Sequence, residues 1–538
     1  MSVRNAIVLL LALSTLSLLI GCGSSTNHAT PPPTGGFSDT DFSGTYTFSA
    51  SGGDTSGTFA MAGSLVACGC AAGTISSGNV DYVDPTGPAP AATIGNNSTY
   101  TISSDGRGFA KLMITPTGGT VFEVDIDFVL TSNSHGLIIR FDANGTGSGT
   151  IDLEPGAVTL GNVAYAFFLS GSDNSDSPLA TAGAFTLSAG TITPAGVEDF
   201  NYNKTLSTQL ALTGSVSTGS GTTPGTATLD SAFGNLTFDV YAIDSTHLKL
   251  IENDGQAILV GDLFTQTTPA IPAENLVFTM TGLDSTGGLF AAGGLMSSDG
   301  TSMIPTGSED INDGGVVDGG TNPATPAAFT GTFAATGGGR FLITLTGFAG
   351  GSVFAAYPSD GGLFMLEEDT GLAAGVTSGI ALAQAAGATI NPSAGYGLNL
   401  TGQDVSGGPN NGGELDEIAE FKTTSSAFTN GLLDENDGGP ESPQNLGGPY
   451  TVNSDGSGSA TGLGNGLQSM FFYAVDSTTV FFISTDPNQA AQGLFQTQTT
   501  PSAGQSAALQ TRSLPMLRSI PHSHSASQRS KTRLGLAK

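Results

Sequence analysis

Two short acidic stretches contain residue types that could bind calcium. They read "GSEDINDGG" at residues 307–315 and "GLLDENDGG" at residues 431–439. A calcium loop of the EF-hand type needs oxygen ligands at alternate positions, a glycine at the sixth and a bidentate glutamate at the twelfth. Counted from Asp310, the fifth position is Gly314 and the twelfth is Thr321, and neither supplies its ligand. We therefore predict turns built by Asx side chains and no metal or cofactor, with a weak calcium site as the alternative.

The five histidines do not form a recognisable catalytic set. His28 lies in a polar N-terminal segment, and His522 and His524 lie near the C-terminus. His135 and His247 occupy the same hairpin position in two related segments, where we expect exposed polar residues. The chain has no G-x-S-x-G, H-E-x-x-H or P-loop motif. We predict that the protein is not an enzyme.

Pairs of carboxylates are the one remaining source of catalysis. Two of them suffice to hydrolyse a glycosidic bond, and the chain has 45 Asp and Glu. Most of these, however, fall at predicted turns and on solvent-facing strand positions, and the chain has no Trp to stack against a sugar. Glycan hydrolysis is therefore the least favoured of the functions that we consider.

The N-terminus has the pattern of an export and lipidation signal. Arg4 precedes a mostly apolar run at residues 6–20, a length typical of signal peptides and short for a membrane span. The run ends in "LIGC" at Cys22, which resembles the lipobox of bacterial lipoproteins. The resemblance implies cleavage before Cys22, a diacylglycerol on its thiol and a further acyl chain such as palmitate; ordinary secretion is the alternative. Gly23, where an Asp would favour inner-membrane retention, points to the outer membrane.

The other two cysteines are too few for a metal site. Cys68 and Cys70 lie one residue apart, and no second C-x-C or His pair accompanies them. A tetrahedral zinc site would need four such ligands. We expect either a reduced dithiol or a local disulfide at this position.

The charge distribution excludes one class of partner. The net charge is −31, and half of the 14 Lys and Arg lie in the leader or after residue 504. The body of the chain is therefore strongly acidic and repels phosphate backbones, so we predict no nucleic-acid partner. The segment 505–538 contains bases but no acids and lacks strand alternation, and we expect it to be disordered.

Composition and periodicity predict an all-β fold. The chain has 79 Gly and 30 Phe, with few of the residues that favour helices. In residues 122–128, apolar and acidic side chains alternate strictly, as in a strand with one buried and one solvated face.

Three landmarks recur in the same order four times along the chain. The first is a strand that ends in Gly-x-Asp, the second is Gly-x-x-Asp, and the third is a hairpin that closes on Asp. The first ends at Asp54, Asp173, Asp284 and Asp404; the second at Asp81, Asp199, Asp310 and Asp434; the third at Asp142, Asp254, Asp369 and Asp486. Each unit is about 115 residues long, enough for its own core.

Turn signals divide the first repeat into eight strands. We place them at 46–51, 58–66, 73–82, 98–103, 108–115, 121–130, 136–141 and 149–153. Sequential hairpins without long crossovers favour an antiparallel meander that closes into a barrel of lipocalin-like shape, with a two-sheet sandwich as the alternative. The plan is similar to that of uncharacterised repeat-containing surface lipoproteins of environmental bacteria, a resemblance that implies no activity.

These observations define a domain plan and a ranking of functions. We predict a signal peptide at 1–21, a flexible tether at 22–41, β repeat domains at 42–157, 158–273, 274–394 and 395–504, and a basic tail at 505–538. The favoured function is a lipid-anchored, non-enzymatic spacer, adhesion or interaction protein of the cell envelope, with an unidentified protein or glycan partner. The alternative is a binding module whose barrels hold a small apolar ligand or a glycan.

Overall fold

The computed structural model describes residues 36–320, 325–405 and 413–500. These residues form an all-β protein, whose helical content is limited to three short 3-10 turns at Asp39–Asp41, Asp318–Gly320 and Gly371–Ala373. Cys22, the signal peptide, most of the tether and the basic tail lie outside the described residues. No helix in the described part of the chain is long and apolar enough to cross a membrane.

The first two barrels each close with eight strand positions and one additional strand. In both, neighbouring strands are antiparallel and the first strand pairs with the last. The first barrel contains β1 (Ser43–Asp54), β2 (Gly57–Cys68), β3 (Thr74–Asp84), β4 (Gly87–Ile94), β5 (Ser98–Ile102), β6 (Arg107–Thr115), β7 (Phe122–Leu130), β8 (His135–Asp142) and β9 (Gly145–Leu153). The second contains β10 (Ala164–Asp173), β11 (Pro178–Ser188), β12 (Thr191–Ile192), β13 (Gly196–Tyr202), β14 (Thr205–Val216), β15 (Gly225–Asp230), β16 (Asn235–Ala242), β17 (His247–Glu252) and β18 (Ala257–Thr265).

The third and fourth barrels follow the same meander. In the third, the first strand pairs with the last and one short strand is additional, and the fourth is a closed barrel of eight strands. The third contains β19 (Asn275–Leu283), β20 (Leu289–Ser297), β21 (Met303–Asp313), β22 (Val316–Val317), β23 (Ala327–Gly337), β24 (Arg340–Thr346), β25 (Val353–Ser359), β26 (Gly362–Glu367) and β27 (Val376–Ala383). The fourth contains β28 (Gly395–Asp404), β29 (Glu414–Thr423), β30 (Ala427–Asp437), β31 (Gln444–Val452), β32 (Ser457–Thr461), β33 (Ser469–Ala474), β34 (Thr479–Ser484) and β35 (Gln489–Thr497).

The barrel prediction is therefore confirmed, and the two-sheet sandwich is wrong. The strand list for the first barrel omitted β4, whose sequence "GPAPAATI" has two prolines and reads as a loop. β4 nevertheless shares one barrel position with β5, because both pair with β3 and β6.

The first landmark has a steric cause inside each barrel. Its glycines lie where the first strand of each barrel pairs with the last strand. A Cβ at these positions would overlap a backbone carbonyl oxygen of the last strand. This holds for Gly52, Gly171, Gly282 and Gly402. In the first three barrels the landmark aspartate also accepts hydrogen bonds from amides of the following turn, as when Asp54 accepts from the amides of Ser56 and Gly57 at 2.6 and 3.1 Å.

Each barrel encloses its own apolar core. Every second residue of each strand points inward and packs in the core, as in β7, where Val124, Ile126 and Phe128 are buried in the first barrel. A further apolar cluster lies outside the barrel interiors and draws residues from all four, among them Ile139, Phe168, Phe364 and Tyr473. The barrels are therefore packed against one another and not strung out along the chain.

The two ends of the described body lie side by side. A Cβ on Gly36 would be 3.5 Å from the Cβ of Thr500. The amide of Thr499, beyond the last strand, donates to the carbonyl of Thr131 in the first barrel at 2.7 Å. The chain thus returns to the first barrel after completing the fourth.

Candidate functional site

The faces through which the barrels meet contain a recurring set of buried polar side chains that form hydrogen bonds from one barrel to the next. The first barrel contacts the second through β2 with β17 and β18, and the second contacts the third through β11 with β25 and β26. The third contacts the fourth through β20 with β33 and β35, and the fourth contacts the first through β29 with β7, β8 and β9. These contacts link the four barrels in a closed cyclic order.

The aspartate of the second landmark lies at the centre of each contact. It is an outward-facing residue of the third strand position, and the next barrel donates a hydrogen bond to it. Tyr241 donates to Asp81 at 2.7 Å and Tyr473 donates to Asp310 at 2.5 Å. Tyr357 donates to Asp199 in the same way. All three tyrosines are almost completely buried.

The contact from the fourth barrel to the first uses arginine in place of tyrosine. In the second barrel, Tyr241 lies six residues before His247. The same position in the first barrel, six residues before His135, is occupied by Val129. Arg107, which pairs with Val129 across the sheet, donates to Asp434 at 3.2 Å and to Asp105 at 3.2 Å. A different side chain on the adjacent strand thus preserves the hydrogen bond to the landmark aspartate.

An asparagine two residues after the landmark aspartate adds a second contact in three barrels. Its side-chain amide donates to two or three backbone carbonyls of the next barrel and so bonds the main chain of that barrel directly. Asn201 donates to Glu367 and Gly375 at 3.0 and 2.9 Å, and Asn312 to Ser484 and Gln489 at 2.8 and 2.7 Å. Asn436 donates to Arg140, Asp142 and Gly145 at 3.1, 3.2 and 3.0 Å.

A glutamine directly after the last strand makes the third recurring contact. Gln266, Gln384 and Gln498 each donate from Nε2 to two backbone carbonyls of the next barrel in the cycle. The acceptors are Gly339 and Pro358, Asp455 and Ala474, and Asp105 and Leu130. The first barrel has Glu154 at this position, and burial raises its pKa to about 7.

The stretches that prompted the calcium question therefore have a structural role. Asp310 and Asn312 lie within β21, and Asp434 and Asn436 lie within β30, so these residues are in strands, and the predicted Asx turn begins only where β21 ends. The turn follows them, and there the amide of Gly315 donates to Asn312 Oδ1 at 2.8 Å. Among the described residues, no group of three or more His, Cys, Asp and Glu is arranged to hold a metal ion.

The two hairpin histidines are also buried and not exposed as predicted. His135 contacts Asp152 at 2.7 Å through Nδ1 and Gln496 of the fourth barrel at 2.9 Å through Nε2. His247 contacts Asp262 at 2.8 Å and stacks on Phe264. Their exposed fractions are 1% and 4%. Neither ring is accessible to a substrate.

Lys249 joins these two pairs into one polar network between the first and second barrels. Its Nζ lies 3.3 Å from Asp262, 3.8 Å from Asp152 and 2.7 Å from the hydroxyl of Thr150. Burial favours the neutral form of Asp152, but the charges of His135 and Lys249 outweigh burial and lower the pKa of Asp152. The network is a buried, charge-compensated contact.

The interior of the first barrel is filled. Its cavity of about 20 Å³ is enclosed by side chains including Phe42, Phe48 and Phe128, enough for about one water molecule. Sites for small ligands usually span about 300–1,000 Å³. A larger cleft of about 780 Å³ lies on the surface of the fourth barrel, between the β30–β31 and β32–β33 connections.

Sequence reasoning missed the tyrosines of the contacts, although a signal for them is present. Tyr241, Tyr357 and Tyr473 each stand three residues before an aspartate in the third landmark, so that Y-x-x-D occurs once in each of the last three repeats. The cysteines were left open between two states, and the structure has a disulfide between Cys68 and Cys70. Cys22, the predicted lipid-attachment site, lies outside the described residues.

Comparisons with known proteins identify similar folds only. No protein-family model and no curated protein matches the chain. Among solved structures, transferrin binding protein B of Haemophilus parasuis Hp5 (a Trp-176-Ala mutant) is 7% identical, with a TM-score of 0.19, over 68% of this chain and 84% of that one. The isotype 1 transferrin binding protein B of serogroup B Neisseria meningitidis is 10% identical, with a TM-score of 0.19 and the same coverage. At this level of similarity, no function is transferred.

Proposed function

We propose that the protein is a lipid-anchored, non-enzymatic interaction protein of the cell envelope. Its four barrels would act as one rigid body that presents an acidic surface to a protein or glycan partner. The observation that carries the proposal is the recurring set of buried contacts between successive barrels, which runs from the first barrel to the fourth and back to the first. So many specific contacts between barrels are expected to hold them in fixed relative positions.

Two features favour binding over catalysis. The two histidines that the structure describes, His135 and His247, are buried and already bonded to carboxylates. The carboxylates of the second landmark have structural partners there, including Tyr241 and Tyr473. The filled interior of the first barrel disfavours the alternative in which the barrels hold a small apolar ligand. The contact between the first and fourth barrels disfavours an extended spacer.

The anchor rests on the lipobox-like sequence that ends at Cys22 and on the polar segment that follows it. An acyl-modified N-terminus with more than one chain would hold the body stably at a membrane. A tether between the lipid and residue 36 would leave the body free to meet partners outside the membrane.

The anchor is tested by metabolic labelling with a clickable palmitate analogue. We expect labelling of the wild type and none of Cys22→Ala, whereas a Cys68→Ala/Cys70→Ala variant, which keeps Cys22, should be labelled normally. Labelling that persists in Cys22→Ala, or that is absent from the wild type, would contradict the anchor.

Binding is tested with two assays. Proximity labelling on intact cells looks for a protein partner, and a glycan array probed with the purified four-barrel body looks for a glycan. We expect a reproducible protein or glycan class that is lost when the Asn436→Ala variant loosens the contact between the fourth and first barrels. Asn445→Ala, which alters the surface cleft and no barrel contact, is the matched control for this interface. Turnover of chromogenic glycosides or esters by the purified protein would refute the non-enzymatic assignment.

A further inference from the structure

One end of the fourth barrel has carboxylates where the core should be apolar. Glu417 lies on β29 between Leu415 and Ala419, and Glu435 lies on β30 two residues after Leu433. Leu415, Ala419 and Leu433 belong to the interior cluster of this barrel. Because residues two apart on a strand share a face, both glutamates point into the barrel.

The two glutamates face each other at this end of the barrel. They are direct cross-strand partners in the β29–β30 register, an arrangement that is destabilising for like charges. Glu417 has an exposed fraction of 0%, and neither of its carboxyl oxygens has a hydrogen-bond partner. A carboxyl group buried in these surroundings either takes up a proton or pairs with a cation.

Gly466 brings the oxygen atoms of this end together. A Cβ on Gly466 would lie 2.6 Å from Glu435 Oε2 and 3.3 Å from Glu417 Oε1, so both carboxylates approach the same point. The carbonyl of Gly466 accepts a hydrogen bond from Gln489 Nε2 at 3.0 Å, which leaves the buried Gln489 Oε1 without a donor. The side chain of Gln444 accepts a hydrogen bond from the Gly466 amide at 2.9 Å and donates one to Glu435 at 2.7 Å, and so fixes the positions of both.

The fold itself does not require an acid at position 417. Glu417 is the cross-strand partner of Leu400, which lies two residues before the first-landmark glycine Gly402. The equivalent residue in another barrel is therefore the partner of the residue two before its own landmark glycine. The other three barrels have Met61, Thr181 and Ala292 at this point. The charge is therefore specific to the fourth barrel and has another cause.

We propose that Glu417, Glu435 and the side-chain oxygen of Gln489 bind one hard divalent cation such as Ca²⁺. Carboxylate and amide oxygens are the ligands that such cations take, and a bidentate glutamate is common among them. The surface cleft of the fourth barrel is lined by Gln444, whose amide already contacts Glu435, and offers a route from solvent. This site goes beyond the proposed function and does not depend on it.

The site is tested on the purified, chelator-treated protein by isothermal titration with Ca²⁺ and Mg²⁺ and by thermal unfolding. We expect one Ca²⁺ per chain and a Tm that rises with Ca²⁺ concentration. Glu417→Gln, which keeps the shape and removes the charge, should weaken binding at least tenfold and leave the metal-free protein as stable as the wild type or more stable. Gln489→Ala should weaken binding without removing a charge.

Glu198→Gln provides a matched control. Glu198 is also buried, but Thr181 donates to it and it has no glutamate across the strand pair. This variant should bind Ca²⁺ like the wild type. The proposal is overturned if the wild type binds neither ion, in which case the buried pair holds a proton, or if Glu417→Gln and Gln489→Ala bind as tightly as the wild type.

Discussion

Replacing Tyr473 by Phe would test directly whether the tyrosine–aspartate contact holds two barrels together. The substitution removes one oxygen atom and leaves the ring in place. It deprives Asp310 of a hydrogen bond of 2.5 Å at a position where the carboxyl is only 5% exposed. Hydrogen bonds to ionised groups contribute about 1.5–3 kcal/mol, and neutral ones about 0.5–1.5 kcal/mol. The size of the effect should therefore report the ionisation state of Asp310.

The pH dependence follows from the pKa of that carboxyl. Burial raises the pKa of Asp310 to about 7, although the hydroxyl of Tyr473 favours the ionised form. Between its unfolded value near 4 and this folded value, the native state binds the extra proton, so the contribution of Asp310 to stability falls as pH rises. Tyr473→Phe should consequently cost about 1.5–3 kcal/mol at pH 8 and about 0.5–1.5 kcal/mol at pH 5.

Urea unfolding at the two pH values measures this difference, and Tyr46→Phe is its control. Tyr46 is equally buried but donates to the neutral backbone carbonyl of Asn133 within the first barrel. Its removal should cost about 0.5–1.5 kcal/mol at both pH values. If Tyr473→Phe costs no more than Tyr46→Phe at pH 8, or if its cost shrinks as pH rises, the contact does not stabilise the protein as inferred.

Two further predictions concern charged groups at the other barrel contacts. Arg107→Ala should destabilise the protein by about 3–5 kcal/mol in urea unfolding, because it leaves the buried carboxylate of Asp434 uncompensated; Lys111→Ala, which breaks an exposed ion pair on the same strand, should cost about 0–1 kcal/mol, and equal costs would contradict the role of Arg107. Because the pKa of Asp152 is lowered in the folded state, its contribution to stability is complete above its unfolded pKa and is lost as pH falls through the folded value. The Tm of the wild type should therefore fall below pH 4 more steeply than that of Asp152→Asn, and parallel curves would refute this.

The sequence was sufficient to predict the barrels because their interiors follow simple rules. The apolar side chains that alternate in residues 122–128 and the repeated Gly-x-Asp landmark report packing within one barrel, and the structure confirms this for both. The face predicted to be solvated is not fully so, because Asp127 is buried. β4 was missed because its prolines resemble those of a loop, whereas a barrel position shared with β5 tolerates them.

The outer faces were predicted less well, for a physical reason. An outward-facing polar residue has the same strand periodicity whether it meets water or another barrel. His135, His247 and Asp310 were therefore assigned to exposed turns or solvent faces, although all three are buried: His135 and Asp310 have partners in another barrel, and His247 contacts Asp262 of its own barrel. The lipid site at Cys22 and the domain boundaries stay predictions.

The return of the fourth barrel to the first constrains how this protein can evolve. In an open array, each unit touches only its neighbours, so units can be gained or lost at an end with little effect on the rest. Here no barrel is terminal, since Arg107 and Asp434 join the first to the last. Inserting or deleting one unit would open the cycle and expose two faces at once, so we expect the copy number to be fixed while individual surfaces diverge.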